Sequence, residues 1–161
     1  MAEPVAARVG VVEKTLSVNV PIVRAFAVFT QNMGAWWPAT HHIAKQAFTE
    51  ITVEPRAGGR WFERAADGGE CEWGRVLAWE PPHRVVFSWH LQPDWKFDPD
   101  PEKASEVEIR FFADGAEKTR LELEHRRLER HGASWEQLRA GVDSPGGWTA
   151  ILEQFAKAVA S

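Results

Sequence analysis

At 161 residues, 44% hydrophobic and 26% charged, the chain suits one globular domain with a substantial core and is too balanced for extended disorder. A net charge of −4 without a basic stripe argues against a nucleic-acid partner, and no apolar run approaches the ~20 residues of a membrane-spanning helix. With no basic-then-apolar leader and Cys71 as the only cysteine, the sequence predicts a cytoplasmic protein without an internal disulfide.

Residues 1–8 are expected to be disordered. Val9 to Val20 alternates in β-branched residues and predicts a first strand. Asn19 offers a helix cap with Pro21 in the first turn, and Ile22, Ala25, Phe26 and Phe29 recur at helical spacing, so short helices follow to about Gly34. Trp36-Trp37-Pro38 closes that segment; one indole is expected to pack inward and the other to rim an opening.

Six more strands follow: Phe48 to Glu54, Arg60 to Ala65, Glu70 to Glu80, Arg84 to Leu91, Ser105 to Phe112 and Thr119 to His125. Gly58-Gly59, Asp67-Gly68-Gly69, Pro81-Pro82 and Asp114-Gly115 supply the turns between them. Pro93 to Pro101, with three prolines, predicts an irregular loop. In the last two strands charged residues alternate with apolar ones, as in a sheet with one wet face.

The period then changes. Ser134 and Gln137 have capping-box spacing for a short helix to near Gly141. After Ser144-Pro145, the residues Trp148, Ile151, Leu152, Phe155 and Val159 form an amphipathic stripe. Gly146-Gly147 is expected to allow close packing at that helix's entry rather than to bind an anion. The order predicts a single α+β domain over 1–161: about seven antiparallel strands curved around the C-terminal helix, which alone is long enough to cover their apolar face.

These residues resemble the heat-shock protein 90 ATPase activator homologue-like family, within the START-like (SRPBCC) helix-grip superfamily. The resemblance lies in Trp36 to Pro38, Arg56 to Gly59, Gly74-Arg75-Val76, Pro81 to Trp89, Thr119 to His125 and Gly147-Trp148, in the family's order along almost the whole chain. It implies a helix-grip fold. Relatives of that fold include lipid carriers, hormone receptors, polyketide cyclases and co-chaperones.

Nine tryptophans and nine phenylalanines without a tyrosine suit both a bulky core and an aromatic-walled pocket. The expected ligand-binding residues are Trp37, Trp61, Glu63, Phe87, Trp89, Ile109, Phe111, Leu123, His125, Trp148 and Leu152. His125 shares the inward face with Leu121 and Leu123; it is read as a core histidine bonded to a backbone carbonyl or as a polar anchor in an apolar cavity. Glu63, in register with Trp61, also points inward and would favour a charged histidine if it lay beside it. No catalytic or phosphate-binding motif is found. His41-His42 and the Asp94, Asp98, Asp100 group read as loops rather than metal sites, so no metal or other cofactor is predicted.

The first expectation is therefore a binder of a small hydrophobic or amphipathic molecule, as monomer or homodimer. The second is a cyclase- or dehydratase-type enzyme using the same cavity, with His125 or Glu63 moving a proton. The third is a co-chaperone-like interaction module with a chaperone partner; it ranks last because the eukaryotic activator's separate N-terminal domain has no counterpart in this sequence.

Overall fold

The computed structural model describes residues 10–37, 48–65, 68–92 and 96–160. Seven antiparallel strands form one sheet in the order β1-β7-β6-β5-β4-β3-β2. They are β1 (Val12–Val18), β2 (Phe48–Val53), β3 (Arg60–Ala65), β4 (Glu70–Glu80), β5 (Arg84–Trp89), β6 (Ser105–Ala113) and β7 (Thr119–Arg126). Only β1 is paired out of chain order: it crosses to the far side of β7, with Val12 opposite His125 and Val18 opposite Thr119. The crossing leaves the length of the sheet between β1 and β2, and the helices that join them cross its inner face.

Those helices are α1 (Ile22–Thr30) and α2 (Met33–Trp36). The cap of α1 is Pro21, without a side-chain hydrogen bond, so Asn19 does not cap it. The extended backbone of Pro21 (φ −60°, ψ 152°) lets its own carbonyl accept Ala25 N–H at 3.0 Å, and the helix starts at Ile22, later than an Asn19 cap would place it. Phe26 and Phe29 of α1 sit on Phe111 of β6, with centroids 5.3 and 5.9 Å away. Both Trp36 and Trp37 are buried, so neither rims an opening. The chain turns sharply at the end of α2: Trp36 sends its indole N–H to Val28 O at 2.8 Å, while Trp37 packs on Trp73.

At the other end of the chain lie α3 (Trp135–Asp143) and α4 (Ala150–Val159), joined by one wide turn over Pro145–Thr149. Ser134 makes no side-chain cap bond, so the capping box does not form. The Gln137 N–H that the box would use bonds the Ser134 backbone carbonyl at 3.1 Å instead. At Gly147 a Cβ atom would run into the carbonyls of Gly141 and Val142, so close approach explains this glycine. Phe155 of α4 meets Phe29 and Trp36 at 5.2 and 5.4 Å. The sheet is thus covered by α1, α2 and α4 together, not by the C-terminal helix alone. Pro101 opens a single 3-10 turn, Pro101–Lys103, a short exception to the irregular loop expected there. His41, His42 and Asp94 lie outside the described residues.

The outer face is polar by alternation and laced with charge. Arg126 bonds Glu106, Glu108 and Glu124 at 3.0, 2.7 and 3.2 Å, and Arg84 reaches Glu108 as well. Burial works against the Glu108 carboxylate, but Arg84 and Arg126 hold its pKa below the usual range. One sheet therefore has a charged convex face and an apolar concave one.

Candidate functional site on the concave face

The strand period delivers a continuous aromatic surface to the concave face. Trp61 of β3, Phe87 and Trp89 of β5, and Trp148 at the entry of α4 are all buried. Trp61 lies 4.7 Å from Phe87 and 5.8 Å from Trp89, centroid to centroid; Trp89 lies 5.7 Å from Trp148. Trp37 joins from α2, at 6.1 Å from Trp61 and 6.3 Å from Trp148.

The sequence did not single out Trp73, which completes this surface. It is the extra residue of a bulge, because Trp61 pairs with Gly74 and Phe62 with Glu72. A side chain at Gly74 would collide with Ser88 O, so the glycine permits the bulge to lie against β5. Trp73 stands 4.9 Å from Trp37 and 5.3 Å from Trp61. Its indole N–H donates to Glu63 Oε1 at 2.8 Å.

Glu63 is fully buried, with Ile51 and Cys71 opposite it on the neighbouring strands. His125 is also fully buried, 5.1 Å from Trp89. Trp148 Nε1 donates to His125 Nδ1 at 3.1 Å. Since an indole nitrogen only donates, Nδ1 is the acceptor and the ring proton sits on Nε2. That Nε2–H meets Ser105 Oγ at 2.7 Å. The expected backbone carbonyl is therefore replaced by a serine hydroxyl and an indole. Burial first, and the neighbouring His131 second, push the His125 pKa down to about 3. The ring is neutral, and both its nitrogens are engaged.

Not every expected site residue joins this cluster. Phe111 belongs to the packing beneath α1. Ile109 and Leu123 face each other across β6 and β7 as aliphatic core, and Leu152 is buried on α4. Ser105, His131 and Gln92 were missed. His131 Nε2 meets Ser105 Oγ at 2.7 Å, and its Nδ1 meets Gln92 Oε1 at 3.1 Å. Burial, with His90 nearby, lowers the His131 pKa to about 4. A serine opening β6 and a histidine in a turn after β7 carry no spacing signal. Among the described residues no three His, Cys, Asp or Glu side chains group as a metal ion would require.

The model of the family described as Activator of Hsp90 ATPase homolog 1-like protein matches residues 19–160. The chain belongs to that family. No curated protein matches it significantly. Among solved structures, this member of the Activator of Hsp90 ATPase homolog 1-like family is similar to Txn09, an anthrahydroquino-γ-pyrone synthase complexed with SUM. Identity is 36%, with a TM-score of 0.66, over 93% of this chain and 97% of that one. It is 30% identical to CalC, a self-sacrificing resistance protein from Micromonospora echinospora, with a TM-score of 0.70 over 93% and 94% of the two chains. CalU16 from the same organism, at 23% identity and a TM-score of 0.58 over 92% and 73%, shares the fold. The α+β helix-grip architecture is common ground for the family and these structures.

Proposed function

We propose that the protein binds a small hydrophobic or amphipathic molecule at the tryptophan-walled concave face, between the sheet and α4. The observation that most supports this reading is Glu63. It is a polar side chain fully buried within the aromatic surface, and its Oε1 accepts the Trp73 indole N–H. A polar group inside an aromatic wall is the composition of a ligand site, where apolar rings supply affinity and a few polar atoms fix orientation.

The sequence relation to a pyrone synthase supports a second reading, a cyclase- or dehydratase-type enzyme acting on a ligand held at the same face. In that reading Glu63 moves the proton, because both ring nitrogens of His125 are already engaged. A chaperone partner is the third reading, with family kinship alone behind it.

Native mass spectrometry of freshly purified protein tests the first reading: a copurifying small molecule released on denaturation is expected. Its absence, together with no saturable binding of 1-anilinonaphthalene-8-sulfonate, would contradict it. With a ligand in hand, Glu63→Gln separates the first two readings. A pure binder shows no turnover in either form, whereas an enzyme loses about 10²–10⁴ in turnover while still binding.

A further inference from the structure

We infer that Ser105, His131 and Gln92 are positioning residues for Trp148: they fix the direction of every proton in a buried relay that orients its indole. The inference deepens the binding reading and rests on it for its consequence.

The relay begins at a group with no freedom. The Trp148 N–H donates to His125 Nδ1, so His125 donates from Nε2 to Ser105 Oγ. The single Ser105 hydroxyl proton is then left for His131 Nε2, which must be the unprotonated nitrogen of that ring. His131 donates from Nδ1 to Gln92 Oε1. Gln92 is oriented in turn, because its amide NH₂ donates to His90 O and Lys103 O, each at 3.0 Å. The far end is therefore anchored to the two ends of the crossover between β5 and β6. Ser105 and His125 are fully buried and His131 nearly so, so the three links from Trp148 to His131 cannot be exchanged cheaply for water.

Such a chain has only two self-consistent proton orders. In the other, His131 donates to Ser105, Ser105 donates to His125 Nε2, and His125 carries its proton on Nδ1. That proton then faces the Trp148 N–H head-on, and the indole must leave its place. Gln92 decides between the orders, because its Oε1 demands a proton on His131 Nδ1. The crossover thereby sets one wall of the proposed ligand site from outside that wall. No carboxylate or cation occupies a link; His90 is the neighbour that acts on His131, while Asp98 and Lys103 on the crossover pair with each other at 3.8 Å.

The test is the indole N–H resonance of Trp148 in ¹⁵N-labelled full-length protein, assigned by its loss in Trp148→Phe. In Gln92→Leu and Ser105→Ala it should shift and exchange faster with solvent, while that of Trp36, bonded to Val28 O, stays in place. Gln92→Glu preserves the acceptor and should keep the wild-type resonance at pH 8. On acidification that variant should change at higher pH than the wild type, because a carboxylate favours protonated His131. Gln92 is only half-buried, so its variants keep the test alive should Ser105→Ala fail to fold. An unmoved Trp148 resonance in Gln92→Leu would overturn the inference. Affinity for 1-anilinonaphthalene-8-sulfonate, measured on the same samples, should fall about threefold or more in Gln92→Leu, an energy well within one lost hydrogen bond. A moved indole with unchanged affinity would overturn the link to the site, whereas no dye binding by the wild type would remove the binding reading and leave the resonances to judge the relay.

Discussion

Acid should weaken the fold in a pH window that belongs to histidine, and His125 should account for a defined part of the loss. Its ring is neutral in the folded protein because burial, and then His131, lower its pKa from 6.5 to about 3. The unfolded chain therefore takes up this proton first as pH falls. The stabilisation is fully present above pH 6.5 and drains away as pH drops towards 3. Between pH 7 and pH 5 the linkage amounts to about 2 kcal/mol from this one ring, since each unit of separation is worth about 1.4 kcal/mol. His131, lowered to about 4, acts in the same direction. Glu54, Glu70 and Glu108, whose pKa values are lowered from 4.5, give up their contributions only at lower pH, which leaves pH 5–7 clear of these carboxylates. Urea denaturation of wild type and His125→Gln at pH 7, 6 and 5 isolates the term. The glutamine does not titrate, so the stability gap between the two proteins should narrow by about 2 kcal/mol from pH 7 to pH 5. Parallel curves would mean that the ring is protonated or solvated in the folded state, and the relay built on its neutrality would fall with them.

Gly74→Ala should destabilise by about 3 kcal/mol or more, at the upper end of overpacking, because the new methyl collides with the Ser88 carbonyl; chemical denaturation reads this, and a loss under 1 kcal/mol would show that the bulge is not held so tightly. Leu152→Trp should leave the protein folded at a cost of about 1–3 kcal/mol and, if the proposed ligand space reaches from the aromatic cluster to α4, weaken binding of an apolar dye. Unchanged dye affinity in the folded variant would place the dye elsewhere.

Most of the fold is legible in the sequence because period-2 alternation and paired breakers are local signals. The hairpin between β3 and β4 and the clean alternation of β6 and β7 appear as the residues announce them. The capping devices did not form as expected: α1 starts from the Pro21 carbonyl, and Gln137 N–H takes the Ser134 carbonyl rather than its side chain. Inwardness was legible too: all eleven expected site residues are buried. Their grouping was not, since it depends on register and on a bulge. Phe111 and Trp61 look alike in an alternating strand, yet one meets α1 and the other the tryptophan surface. Trp73 turns inward because Gly74 lets the strand slip by one residue. Ser105, Gln92 and His131 come together from a strand end, a crossover and a turn far apart in sequence, and no spacing rule connects them.

The central claim is that ligand meets the tryptophan surface of the grip. Fluorine NMR of 5-fluorotryptophan-labelled protein tests it most directly, with 1-anilinonaphthalene-8-sulfonate as titrant and each resonance assigned by a single Trp→Phe substitution. The account predicts saturable shifts of Trp61, Trp73, Trp89 and Trp148, with Trp79 and Trp135, outside that cluster, unaffected. Shifts confined to Trp79 or Trp135, or none at saturating dye, would contradict it.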